Sequence, residues 1–174
     1  MRILITAFEP FDGRITNSSL LLLDQISLNV DKKILPVDAD KIYSSFEKLS
    51  IKNYDIVIML GEANIPNIRL ELVAKNILDM RIKDNQGNQF SNEVIVNDGR
   101  SILRTNLLLD KLNLTKFDLS EDAGSFLCNM AYYLLLNDNH PCDKAFVHIP
   151  INNPNYKETL EELILEITKT SNFR

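Results

Sequence analysis

Asp55-Ile56-Val57-Ile58-Met59-Leu60-Gly61 decides the fold. Its apolar residues run without a polar break and are rich in β-branched side chains. That is the pattern of a strand covered on both faces, as in the middle of a parallel sheet. Gly61 is expected to break it. Two further runs have the same character, Arg2 to Ala7 and Ala145 to Ile149. Between them the apolar spacing changes to that of helices. Asn17 is placed to cap a helix through about Ile26, and Ile42, Phe46 and Leu49 recur at helical spacing. Cys128 lies near the start of a helix through Leu136. Pro154 opens a last one with the stripe Leu160, Leu163, Ile164 and Ile167. Alternating strands and helices predict a layered α/β domain.

The remaining segments read less sharply. Lys33 to Val37 is a short strand that Pro36 confines to an edge or an end. Leu70 to Ile82 looks extended, and Asp84 to Asn88 supplies a turn. A weak strand is expected over Glu93 to Val96 and a helix from about Ile102 to Leu112.

At 174 residues the chain suits one domain, residues 1–174, and 45% apolar with 25% charged residues is a globular composition. A net charge of -5 without a basic stripe argues against a nucleic-acid partner. The longest uncharged stretch, Ser125 to Asn137, falls short of the ~20 residues of a membrane span. Glu9-Pro10 interrupts the apolar start before any cleavage pattern, so a cytoplasmic location with reduced thiols is expected. Neither GxGxxG nor GxxxxGK[ST] occurs, which argues against a nucleotide-binding module.

Chemistry is concentrated in two scarce residue types. Cys128, one of two cysteines, stands in Asp122-Ala123-Gly124-Ser125-Phe126-Leu127-Cys128-Asn129; His148, one of two histidines, stands in Phe146-Val147-His148-Ile149-Pro150. A helix N-terminus and a neighbouring imidazolium both lower a thiol pKa, and unpaired N–H groups there can hold an oxyanion. Taken singly, each residue also reads as ordinary structure: a lone cysteine in an apolar helix is usually core filling. Cys142 and His140, beside Pro141 in a polar turn, read as surface-loop residues without a catalytic role.

Several blocks together resemble the pyroglutamyl peptidase I family. They are Phe8-Glu9-Pro10-Phe11-Asp12-Gly13 with Asn17; Glu71-Leu72-Val73-Ala74-Lys75-Asn76 running on to Asp79, Arg81 and Ile82 and to Asp84-Asn85-Gln86-Gly87-Asn88; the Cys128 block with Asn129 and Tyr133; and His148-Ile149-Pro150. The resemblance implies a three-layer α/β/α sandwich around a mixed, mostly parallel sheet. It implies a cysteine omega-peptidase that needs neither metal nor cofactor. Its triad would be Cys128, His148 and Glu71, working through an acyl-enzyme on small peptides with an N-terminal pyroglutamyl residue. Arg81 would shape the oxyanion site, and Phe8 and Phe11 would sandwich the flat lactam. Asn17, Glu62, Ile82, Phe126 and Leu127 would complete the pocket.

The chain also departs from that family. Glu62 stands where a Gln is usual, Asp12 replaces a Gly, and Lys83 replaces a Pro. An ionised Glu62 only accepts hydrogen bonds, so it suits the ring N–H of a lactam and repels its carbonyl. The stretch between Gly99 and Gly124 and the loop after Pro150 are shorter, which weakens the homo-oligomer that the family would imply. A second reading therefore stands beside the first: a relative with altered specificity for another small amide, or a catalytically silent binding protein.

Overall fold

The computed structural model describes residues 1–171. Six strands form the main sheet: β1 (Ile3–Phe8), β2 (Asp31–Leu35), β3 (Ile56–Ala63), β4 (Arg69–Glu71), β7 (Asp118–Ser120) and β8 (Asp143–Pro150). Their order is β2-β1-β3-β8-β4-β7. All neighbours are parallel except β4 and β8, which run antiparallel. A second sheet pairs β5 (Val73–Lys75) with β6 (Ile102–Arg104). Helices α1 (Ser18–Gln25) and α4 (Lys157–Ser171) cover one face, and α2 (Ala39–Leu49) and α3 (Leu127–Asn137) the other.

Period-two alternation divides the core between the two faces. Leu4, Phe8, Val57, Met59 and Phe146 pack toward α2 and α3. Ile5, Ala7, Ile56, Ile58, Leu60, Val147 and Ile149 pack toward α1 and toward the Leu160, Leu163, Ile164 and Ile167 stripe of α4. Helix α1 starts where Asn17 caps it, its Oδ1 accepting from the Ser19 N–H at 2.9 Å. Helix α2 is capped by Asp38 in the same manner.

Several expectations need correction. Residues 102–112 are not a helix: they form β6, then an irregular stretch and a 3-10 turn at Leu109–Lys111. Thr105 and Asn106 bond outward instead of letting a helix close. The Thr105 hydroxyl donates to the Lys144 carbonyl, and the Asn106 side chain bridges Cys142 O and Lys144 N. Leu70 to Ile82 is not one strand. It splits at Leu72 between two sheets, and beyond Lys75 the Asn129 side chain takes up its carbonyls. Glu93 to Val96 contributes only a single bridge, Leu78 to Glu93.

Cys142 is no surface residue, because it is 1% exposed at the foot of β8. The last helix begins at Lys157, not at Pro154, and the short early strand is Asp31–Leu35, with Pro36 just past its end. Gly61 does not break β3, which continues to Ala63. No helix among the described residues is long and apolar enough to cross a membrane.

Candidate active site

Strands β1 and β3 leave in opposite directions along the sheet order, so a crevice opens at their carboxyl ends, where open α/β sheets place their sites. A cavity of about 670 Å³ lies there. Cys128, His148 and Glu71 all line it, although they come from α3, β8 and β4.

Gly61 lets α3 approach. A Cβ on it would sit 2.7 Å from Phe146 Cζ and 2.8 Å from Cys128 Sγ, closer than such atoms pack. Gly61→Ala is therefore expected to destabilise the protein by about 1–3 kcal/mol through overpacking, read by urea denaturation. An unchanged unfolding midpoint would mean that the sulfur and ring do not press on this strand.

Cys128 is the second residue of α3. Its loop is fixed by Ser125, whose hydroxyl donates to Asp79 O and whose carbonyl accepts from Asp79 N, both at 2.8 Å. Phe126, at the N-cap, offers no side-chain cap, and the first turn holds no acidic residue. The leading N–H groups of α3 are thus left for an anion.

His148 lies in β8 beside Phe146, whose ring meets the imidazole edge-on at 4.9 Å. Its Nδ1 is 2.7 Å from Glu71 Oε1. A carboxylate there only accepts, so Nδ1 carries the proton and Nε2 is left to exchange one. Glu71 is fully buried. The Tyr132 hydroxyl donates to its backbone carbonyl at 2.9 Å.

Burial pushes the Cys128 thiol up to about 12, with the Glu62 and Glu71 carboxylates adding to it; N–H groups of Glu62 and Cys128 itself act the other way. The resting sulfur is a thiol, so attack requires a base. Burial also pushes Cys142 up to about 11. Unfolding returns both to the ordinary ~8.5, so above that pH the unfolded chain binds fewer protons than the native one. Stability is expected to fall as pH rises from about 8.5 toward 11. Thermal melts across that range check this, and a Cys142→Ala variant should show a shallower decline.

Around these three, Phe11 and Phe126 face each other with ring centroids 5.8 Å apart at a 31° tilt. Phe8 and Leu127 are buried in the core and border the cavity, and half-buried Ile82 borders it too. Arg81 is exposed and lines the cavity as well. Asn17 is occupied by its cap, its Nδ2 donating to Glu9 O at 3.2 Å. Asp12 is exposed, with a left-handed φ of 56°. Glu62 accepts from the Ser18 N–H at 2.7 Å and pairs with Arg14 at 2.5 Å. Sequence reasoning missed Arg14. The available signal was that Arg14 is the one Lys or Arg between Arg2 and Lys32, in the loop that follows the first buried strand.

A family model described as pyroglutamyl peptidase matches residues 1–159. A pyrrolidone-carboxylate peptidase of Brachyspira hyodysenteriae is 35% identical, with 98% of each chain covered. The crystal structure of a pyrrolidone carboxyl peptidase from Thermus thermophilus superposes with a TM-score of 0.82 at 29% identity, covering 95% of this chain and 97% of that one. One from Fervidobacterium islandicum gives 0.82 at 29%, covering 98% and 99%. Their shared fold is the mixed, mostly parallel α/β sheet described above. The chain belongs to the pyroglutamyl peptidase family of cysteine peptidases.

Proposed function

We propose that the protein hydrolyses the amide bond that follows an N-terminal pyroglutamyl residue of small peptides, with Cys128, His148 and Glu71 as its triad. One observation carries this reading: a fully buried Glu71 carboxylate holds His148 at 2.7 Å inside the cavity that Cys128 lines. The lactam ring, neutral and flat, lies against the Phe11 and Phe126 faces, which need no charge on the ligand.

His148 Nε2 takes the thiol proton as Cys128 Sγ attacks the scissile carbonyl carbon. The N–H groups at the start of α3 receive the oxyanion, with Arg81 beside them. Collapse of the tetrahedral intermediate expels the amine, which takes the proton from His148 and leaves a thioester. Water, deprotonated by the same Nε2, attacks that thioester. Collapse returns pyroglutamate and the thiol. Glu71 keeps the imidazole in the required tautomer and stabilises its charged form.

The test is turnover of a pyroglutamyl-coumarin substrate beside its prolyl counterpart, which lacks the ring carbonyl. Release is expected from the first alone and is expected to stop after iodoacetamide. A charged pair, Arg14 and Glu62, lines the same cavity and favours the second reading, altered specificity. Folded protein that alkylates at Cys128 but leaves the pyroglutamyl substrate intact would support that alternative.

A further inference from the structure

The triad needs one negative charge to develop on Cys128, yet the site already buries two carboxylates, Glu71 and Glu62. His148 answers Glu71. Glu62 has a side chain only 1% exposed, and a buried carboxylate without a partner is costly. What faces it is specific. The first N–H of α1, from Ser18, reaches one carboxylate oxygen, and Arg14 Nη2 reaches the other.

Arg14 also lies over the Phe11 ring, 4.9 Å from its centroid, on a loop whose near end is pinned. Glu9 Oε1 accepts there from Val37 N and Asn85 Nδ2, each at 2.9 Å. The other charged groups around the cavity are Asp12 on the same loop, Arg69 and Glu71 on β4, Asp79 and Arg81 before the Asp84 turn, Asp122 before α3, and His148 on β8. Among the described residues, Arg14 is the cation within ion-pair distance of Glu62.

We propose that Arg14 is a positioning residue: it clamps the Glu62 carboxylate against the amino end of α1 and so keeps that charge neutralised in the cavity that Cys128 lines. The inference rests on the thiol-peptidase reading of the site. Its physical basis is a charge balance. When Cys128 passes its proton to His148, the imidazolium offsets Glu71 and Arg14 offsets Glu62. The thiolate is then the only unbalanced charge of the set. Without Arg14 the nascent anion forms in a cavity that holds a second, uncompensated one. The Glu62 side chain leaves β3 on the α1 side, but it lines the same cavity as Cys128, and its charge works against ionisation of the thiol.

The experiment measures iodoacetamide alkylation of Cys128 against pH, resolved by mass spectrometry from Cys142. It compares the wild type with Arg14→Met, Glu62→Gln and the double variant. Arg14→Met is expected to slow Cys128 alkylation about tenfold at neutral pH and to move its profile up by about one pH unit. Glu62→Gln removes the charge that Arg14 answers, so the double variant should return to within about threefold of wild type. A merely structural Arg14 would not shift the pH profile or be rescued this way.

A wild-type profile for Arg14→Met, or a double variant as slow as Arg14→Met, overturns the proposal. Should Arg14→Met alone not fold, the double variant decides, because a tenfold loss there also overturns it. The readout needs no pyroglutamyl turnover. Failure of that turnover in the wild type therefore counts against the peptidase reading and not against the clamp.

Discussion

Cys128→Ala is expected to abolish turnover of a pyroglutamyl-coumarin substrate, lowering kcat/KM by at least about 10⁴-fold, while the protein stays folded. The sulfur is the atom that forms the bond in the proposed reaction, and Ser125, which lines the cavity just before α3, has its hydroxyl committed to Asp79 O. Cys142, the second thiol, is buried at the foot of β8 and cannot substitute. Losing one sulfur from a half-buried position costs little packing, on the order of 1 kcal/mol, so circular dichroism and the melting curve should remain near wild type. Cys128→Ser should be nearly as inactive, because its hydroxyl is far harder to ionise than a thiol. Turnover that survives Cys128→Ala would sink the mechanism.

Glu71→Gln should lower kcat by about 10²–10³-fold with little change in KM. The amide oxygen can still accept from His148 Nδ1, so the ring keeps a partner but loses the charge that stabilises imidazolium. Glu71→Ala goes further. It leaves the His148 donor without its acceptor in a buried site, which adds about 1–3 kcal/mol of lost stability. Steady-state kinetics and urea denaturation of the two variants separate these effects. Equal stability for both, or a Glu71→Gln enzyme with wild-type kcat, would remove Glu71 from its orienting role. The two predictions are coupled, since Cys128 and Glu71 act through the same imidazole. The double variant should be no worse than Cys128→Ala.

The strands were legible where burial on both faces leaves an unbroken apolar run, as in Ile56 to Leu60 and Ala145 to Ile149. The helices were legible where a capping residue marks the start, as with Asn17, or one stripe is apolar, as with Leu160, Leu163, Ile164 and Ile167. Segments governed by distant partners misread. Residues 102–112 carry enough leucine to suggest a helix, yet Thr105 and Asn106 spend their hydrogen bonds on β8. β7, three residues long, was missed, because its pairing with β4 has no local signature. Gly61 was read as a break, whereas the close approach of Phe146 and Cys128 is what requires a glycine there.

The sequence by itself determined the layered α/β class, the scarce thiol and imidazole at strand and helix ends, and the motifs of the family. These depend on periodicity and residue type, which are local properties of the chain. Only the tertiary structure decided which groups meet. Glu71 and His148 are 77 residues apart and come together because β4 runs antiparallel to β8. Arg14 reaches Glu62 because the loop after β1 folds back over the carboxyl end of β3. A side chain's charge is written in the sequence, but its burial and partner follow from strand order and register, and these set what that charge does to Cys128.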